Sequence, residues 1–507
     1  MISSQHQAAP LAAQLDTNIS RLQDQLGYSC DLVYRYLDIM LAQETARIAL
    51  VYIEGLVDSE IVHENLISPL LSEQETRPAS ELYLSLADLI DQSVSIGPMS
   101  RVNMDQELIT GILNGKTAIL LDGSDEALLA GTSGWDKRSI EEPQTQTVVR
   151  GPKEGFTEDI RTNLSLLRRK IKSPDLRFES FILGRYTQTE VIVSYVIGLA
   201  NQNVLTEVKQ RLNNIDTDSI LESGYIEELI ENTAYTPFPT LMNTERPDAA
   251  AAGLLEGQII IIIDGTPFVL LAPVTFFKFL QSSEDYYQRY DIASFVRLIR
   301  YASFLISMLL PSLYIAITTF HQEMLPTTLL VSLAAQREGV PFPALVEAFL
   351  MEITFEVLRE AGIRMPRVVG PAISIVGALV LGQAAVQAGL VSAAMVIVVS
   401  FTAISNFVTP AINLAVAARL IRFGLMVLAG TLGLFGILVG CMAILIHMAS
   451  LRSFGIPYLA PLAPYIKQSM KDIFVRLPRW MLQTRPVLLT KNVRRQRSST
   501  KPDSSKD

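Results

Sequence analysis

The chain is 507 residues long, with a formal net charge of −9, 49% hydrophobic and 18% charged residues, and a mean hydropathy of +0.30. Two cysteines (Cys30, Cys441) and four histidines (His6, His63, His321, His447) are scattered along it. That scatter argues against a disulfide framework, a paired-cysteine metal motif or a zinc or thiol-redox enzyme.

In chain order, the first residues lack a basic stretch followed by an apolar one, so no cleaved signal peptide is expected. An amphipathic helical opening over residues 15–46 leads into a strand-like run, ARIALVYIEGL. Helix-like stretches follow at 59–71 and 80–94. A further helix ends at Asn114-Gly115, ahead of a hairpin over 116–130 that turns at Asp122-Gly123. This order recurs. Tyr52 and Gly55 match Tyr195 and Gly198 at an offset of 143, and Gly115 and Asp122-Gly123 match Gly257 and Asp264-Gly265 at 142. Asp88-Leu89-Ile90 matches Glu228-Leu229-Ile230 at 140. Three elements in one order at nearly one offset predict a duplicated α/β unit. Its expected boundaries are an N-terminal helical segment 1–45, subdomains 46–140 and 185–290, and a connecting segment 141–184.

In the connecting segment, Arg150-Gly151-Pro152 sets a turn, and a helix carrying Arg161, Arg168, Arg169 and Lys170 follows. Its glycines match neither a P-loop nor a dinucleotide fingerprint. The segment therefore reads as a solvated helix face or a subunit contact, with Arg150, Gly151, Pro152 and Arg161 as the contact candidates.

Residues 301–320, 368–388, 390–410 and 423–448 are apolar runs without Asp, Glu, Lys or Arg. Each has about the 20 residues that a bilayer-crossing helix needs, and small residues throughout allow close helix approach. A transmembrane domain of four to six spans is expected over 295–450, the short run 324–336 being re-entrant or an extra span. Arg289, Arg297 and Arg300 precede the first run, which favours a cytoplasmic N-terminal portion. Residues 451–507 hold twelve Lys/Arg against three Asp/Glu, a net +9 that leaves −18 for residues 1–450. This basic tail, its end disordered, is expected on the same side. Arg364, Arg367, Arg419 and Arg422 do not all fit one side of a simple four-span path.

Within the membrane, Ala372, Ile375, Leu379, Gln383 and Gln387 form a stripe at helical spacing, the candidate pore lining. Two glutamines one turn apart are costly against lipid, so they face water or another helix, and a ring of Leu379 side chains would make a dewetting constriction. Glu347, Glu352, Glu356 and Glu360 lie on the preceding helix, the last three within an arc of about 80°. They read as a solvated interfacial face or, around a ring, as a vestibule that concentrates cations. No nucleophile or metal ligand accompanies them, so no enzyme activity and no cofactor are expected.

Several strings resemble a known family: VVRGPKEGFTEDIRTN (148–163), NTERPD (243–248), DGTPFVLLAPV (264–274), SSEDYYQRY (282–290), the whole of 320–366, GQAAVQAGLVSAAMVIVV (382–399) and SFGIPYLAPLAP (453–464). They are similar to the A subunits of the spore germinant receptors (GerA type), over about residues 46–478. The resemblance implies an inner-membrane protein of endospores, with duplicated cytoplasmic α/β subdomains followed by a multi-span transmembrane helical domain. It further implies a transporter-like B subunit and a lipoprotein C subunit as partners, and a homo-oligomeric ring, a pentamer, around a nutrient-gated cation channel. Nucleic acid is not an expected partner. A paralogous spore channel subunit that amplifies ion release, or a secondary transporter, are the alternative readings.

Overall fold

The computed structural model describes residues 9–41, 44–72, 99–134, 142–143, 146–364 and 382–495. Leu15, Ile19, Leu22 and Leu26 recur at the spacing of one helix face and are the buried apolar side of α1 (Leu15–Leu26). Gly27, at φ 58°, ends that helix. The residues beyond it are rich in β-branched and aromatic side chains (Val33, Tyr34, Tyr36) that suit a pleated backbone. They form β1 (Leu32–Leu41), paired antiparallel with β2 (Glu44–Ile53) from Leu32↔Ile53 onward. The helix expected over 15–46 therefore stops at Leu26, and the first sheet begins well before residue 46.

A helix then runs through Ser59–Ile61, a π-helical Val62–Ile67 and Ser68–Ser72 (together α2). The expected helix at 80–94, and Asp88 with it, lies outside the described residues. The chain continues as β3 (Ser100–Val102), α3 (Asp105–Leu113), β4 (Thr117–Leu121) and β5 (Ala127–Ala130), with Gly123 at φ 85° in the β4–β5 turn. The second unit is α4 (Ile160–Lys170), β6 (Leu176–Leu183), β7 (Thr189–Val196), α5 (Gln202–Asn213), α6 (Ser223–Ile230), β8 (Met242–Thr244), α7 (Pro247–Glu256), β9 (Ile259–Ile263) and β10 (Val269–Ala272). Residues 160–183, expected in the connector, are thus its first helix and strand.

Both units form five-stranded antiparallel sheets of one topology, β1-β2-β4-β5-β3 and β6-β7-β9-β10-β8. Even local polar contacts repeat. The Asn18 side chain accepts from the Ala12 N–H (2.8 Å) and donates to the Ala12 carbonyl (2.6 Å). Asn163 does the same to Thr157 (2.8 and 2.7 Å). Asp122 Oδ1 accepts from the N–H of Leu15 and Asp264 Oδ1 from that of Ile160, so each turn aspartate holds the start of its unit's first helix. The two units are copies of one α/β fold.

The second sheet is buried on both faces. Ile260 and Ile262 face one apolar core and Ile259, Ile261 and Ile263 the other, so β9 reads as a continuous apolar run rather than an alternation. The first of these cores also takes in side chains of the helical region that follows, Phe304, Leu414, Ala418 and Met448.

That region comprises α8 (Tyr290–Thr319), α9 (Thr327–Arg337), α10 (Ala344–Arg364), α11 (Gly382–Gln387), α12 (Ala393–Phe407) and α13 (Ile412–Ser450). Among the described residues, α8 and α13 are long and apolar enough to cross a membrane. The expected span 390–410 folds as the 15-residue α12, and 368–388 lies mostly outside the described residues. α13 is not one straight rod. Gly433 takes φ 65°, ψ −142°, and the chain folds back there into two arms. A methyl at Gly436 would lie 2.2 Å from the Leu428 carbonyl oxygen, and one at Gly440 2.5 Å from Leu425 Cδ2. Only glycine allows this turn and this contact between arms. Leu414 at the start of α13 and Met448 near its end consequently share the core beside the second sheet.

After Ser450 the chain returns to the second subdomain. β11 (Arg452–Ser453) and β12 (Ile456–Pro457) form a short hairpin. Ser453 Oγ donates to the Thr240 carbonyl (2.7 Å) and accepts from the Val274 N–H (3.1 Å), and the Phe276 N–H donates to the Tyr458 carbonyl (2.8 Å). Leu482, Leu489 and Thr490 are buried. The tail is therefore docked as far as it is described, and 496–507 lie outside the described residues.

Candidate functional site

The helical region is organised around an ionic cluster that joins α10 to α13. Glu352 and Arg422 are each 1% exposed and lie 3.0 Å apart. Arg422 also reaches Glu356 at 3.4 Å and donates to the Ser307 carbonyl of α8 at 3.3 Å. Glu356 is further paired with Arg419 at 3.2 Å and with Arg359 on its own helix. One turn of α13 thus presents two guanidiniums to two carboxylates one turn apart on α10, the i,i+3 and i,i+4 spacings that place side chains on one face. Burying charge at this depth is tolerable only because every carboxylate has a cationic partner.

Glu347, fully buried, sits further up α10 and accepts from both the N–H and the Oγ of Ser392, at 2.5 Å each, at the start of α12. The Arg337 Nε lies 3.9 Å from it. Of the four expected vestibule carboxylates, Glu347, Glu352 and Glu356 are therefore turned into the helical region. Glu360 alone is exposed, paired with Arg364. The charge pattern that reads as a solvated stripe on an isolated helix is here the contact face with α8, α12 and α13. Sequence reasoning missed the pairing, yet it carried the signal: Arg419 and Arg422, without a place in a simple span path, stand three residues apart beside an acidic arc.

Of the pore-lining candidates, Gln383 and Gln387 lie on α11, both exposed. Ala372, Ile375 and Leu379 lie outside the described residues. Among the subunit-contact candidates, Arg150 and Gly151 are exposed. The Pro152 carbonyl accepts from Arg246 (2.9 Å), and a methyl on Gly151 would meet the Tyr287 ring at 2.7 Å, so this turn packs where the soluble portion meets α8. Arg161 bridges the two units, 3.2 Å from Glu190 and 3.7 Å from Glu54.

The basic residues in the first turns of α8 are also occupied. Arg297, fully buried, is held by Asp285 (3.0 Å) and by Asp472 of the returning tail (2.9 Å), and Arg300 by Asp285 (2.7 Å). Tyr286 donates to Asp472 (2.7 Å). Burial, with Asp472 and Glu256 nearby, pushes its phenol well above the usual range, so it stays a donor at any physiological pH.

The Bacillus/Clostridium GerA spore germination protein family matches residues 20–488. Spore germination protein KA of Bacillus subtilis (strain 168) is 48% identical over 481 residues, covering 95% of this chain and 88% of that protein. An uncharacterized membrane protein of the same organism, YfkQ, is 42% identical over 488 residues, covering 95% and 92%. A crystal structure of the N-terminal domain of the A subunit of the Bacillus megaterium spore germinant receptor GerK3 is 37% identical. It covers 54% of this chain and 99% of that one, with a TM-score of 0.43. The family match over residues 20–488 spans both α/β units, the helical region and most of the docked tail, and so takes in the ionic cluster itself. The chain belongs to the GerA family, the A subunits of the spore germinant receptors.

Proposed function

We propose that this chain is the A subunit of a germinant receptor in the spore inner membrane, and that copies of it assemble as a ring around a nutrient-gated cation path. The observation that carries this reading is the exposure of Gln383 and Gln387 on an otherwise apolar stretch. Two amides one turn apart, turned outward from a single copy, need water or a neighbouring copy as partner. The two α/β units lie on the cytoplasmic side. Their junction with both the first residues of α8 and the last residues of α13 fits an even number of crossings.

In this reading the nutrient is bound by the transporter-like B subunit, with the lipoprotein C subunit completing the receptor. Among the described residues, Glu352, Glu356, Arg419 and Arg422 are paired with one another rather than open to an amino-acid carboxylate or amine. The chain does no covalent chemistry. The test is to purify the protein in detergent, count its subunits by native mass spectrometry, and measure potassium flux after reconstitution. A ring with a cation flux supports the proposal. A monomer without flux, or saturable binding of a germinant amino acid to the isolated chain, contradicts it.

A further inference from the structure

A cleft of about 480 Å³ lies between the second subdomain, the entrance to α8, the end of α12 and the docked tail. Arg246, Lys278, Arg479, Arg485 and Arg495 line it, against Glu256 as the one lining carboxylate. Glu256 is shared by Lys278 (2.9 Å) and Arg495 (3.2 Å). Burial alone would raise its carboxyl, but those two cations overcome this and hold it below the usual range. Arg246 is paired with Asp248 behind the wall (2.8 Å). The two carboxylates thus answer three of the five cations, Arg485 is turned onto the Leu255, Asn492 and Arg494 carbonyls, and Arg479 is exposed.

Arg246 is 3% exposed, and its Nε is buried without a hydrogen-bond partner among the described residues. A buried donor left unmatched beside a cationic cleft is costly unless an acceptor completes it. The other walls include apolar side chains: Phe407 at the end of α12 and Pro410 just beyond it, and Leu255 and Ala249 on α7. The tail segments bearing Arg479 and Arg485 close the cleft from the far side.

We propose that this cleft takes the phosphate of an anionic phospholipid headgroup, the guanidiniums holding the phosphate oxygens and the apolar wall meeting the glycerol end. This assignment rests on the membrane reading above. Guanidinium is the side chain best matched to phosphate. Basic pockets between the ends of membrane helices are where anionic headgroups are held. Free inorganic phosphate offers the same oxygens without the apolar part, so the two sources are separable.

The experiment uses the full chain in nanodiscs or detergent, with phosphatidylglycerol, phosphatidylcholine and inorganic phosphate as probes and retained lipid read by native mass spectrometry. The wild type should retain phosphatidylglycerol over phosphatidylcholine, and inorganic phosphate should not displace it. Arg479 is exposed, so Arg479→Gln should fold and should lower that preference roughly five-fold, the contribution of one cation near an anionic surface. Arg185→Gln, whose guanidinium lies over Tyr186 in the second subdomain, should leave it unchanged. Displacement by phosphate at equal occupancy overturns the lipid source. No preference in the wild type, or equal loss in both variants, overturns the site. Carbonate extraction tests the membrane reading separately: release without detergent sinks that reading, whereas a retained protein with no lipid preference sinks the cleft assignment alone.

Discussion

Arg168 of the second unit grips Asp31 of the first through two hydrogen bonds, Nε to Oδ2 at 2.7 Å and Nη2 to Oδ1 at 3.0 Å, with both side chains 1% exposed. The same guanidinium donates to Ser29 Oγ and to the Leu176 carbonyl and stacks over Phe178, 4.7 Å from the ring centre.

Asp31→Ala leaves that guanidinium buried without its counter-ion. A loss of about 3–5 kcal/mol is expected for a broken buried pair, read as the denaturation midpoint of the soluble portion. Asp31→Asn, which keeps an acceptor, should cost less. A loss below ~1 kcal/mol for Asp31→Ala would place the contact among weak surface pairs and leave the two units held together by apolar packing.

In the helical region, Arg422→Met should destabilise the detergent-solubilised protein by about 3–5 kcal/mol, because Glu352 is then buried unpaired. Adding Glu352→Leu should recover most of the loss, since an apolar pair of similar volume is often as stable as the ionic one. Additive losses in a thermal-shift cycle would mean that the two side chains act independently.

Glu227 of α6 predicts a pH effect of opposite sign to the usual acid loss. Burial first, then the Glu231 and Glu222 charges, raise its carboxyl from 4.5 to about 7. A folded value above the unfolded one contributes stability that is fully present below about pH 4 and is lost as pH rises through 7. Glu227→Gln should therefore raise the melting temperature at pH 8 and change it little at pH 5. The same change at both pH values would show that the carboxyl does not titrate in this window.

Leu379 lies outside the described residues, so its role is argued from spacing alone. If it closes a dry constriction, Leu379→Ala removes that barrier in every copy of a ring. Spores should then lose monovalent cations before nutrient is added, and Leu379→Phe should germinate slowly. Leu381, about 200° round the helix, is the control. Equal leakage from Leu381→Ala would move the constriction to another helix.

The duplication was legible because turn chemistry is local. Asp122-Gly123 and Asp264-Gly265 need a residue at positive φ whatever surrounds them, and both glycines take it (85° and 86°). β1 was obscured because Cys30 and Leu37 continue the apolar spacing begun in α1. The signal against a long helix was Gly27, followed by Val33, Tyr34 and Tyr36. The docked tail was illegible for a different reason: its short turns carry no periodicity, and only contacts with Thr240, Val274 and Phe276 define it. The ionic cluster sat between these extremes, since the charges were visible but their partners lie 63–70 residues away.

The Ser453 hydroxyl is a mechanical tie. It stands three residues beyond the last helix and is pinned on both sides to the second subdomain, while Arg297 at the start of α8 is tied to Asp472 farther along the same tail. The first and last long helices are thus both fastened to the second subdomain and the tail docked on it. In the proposed ring, a displacement of that subdomain would reach both helices together, as a tug on two ropes knotted to a single beam.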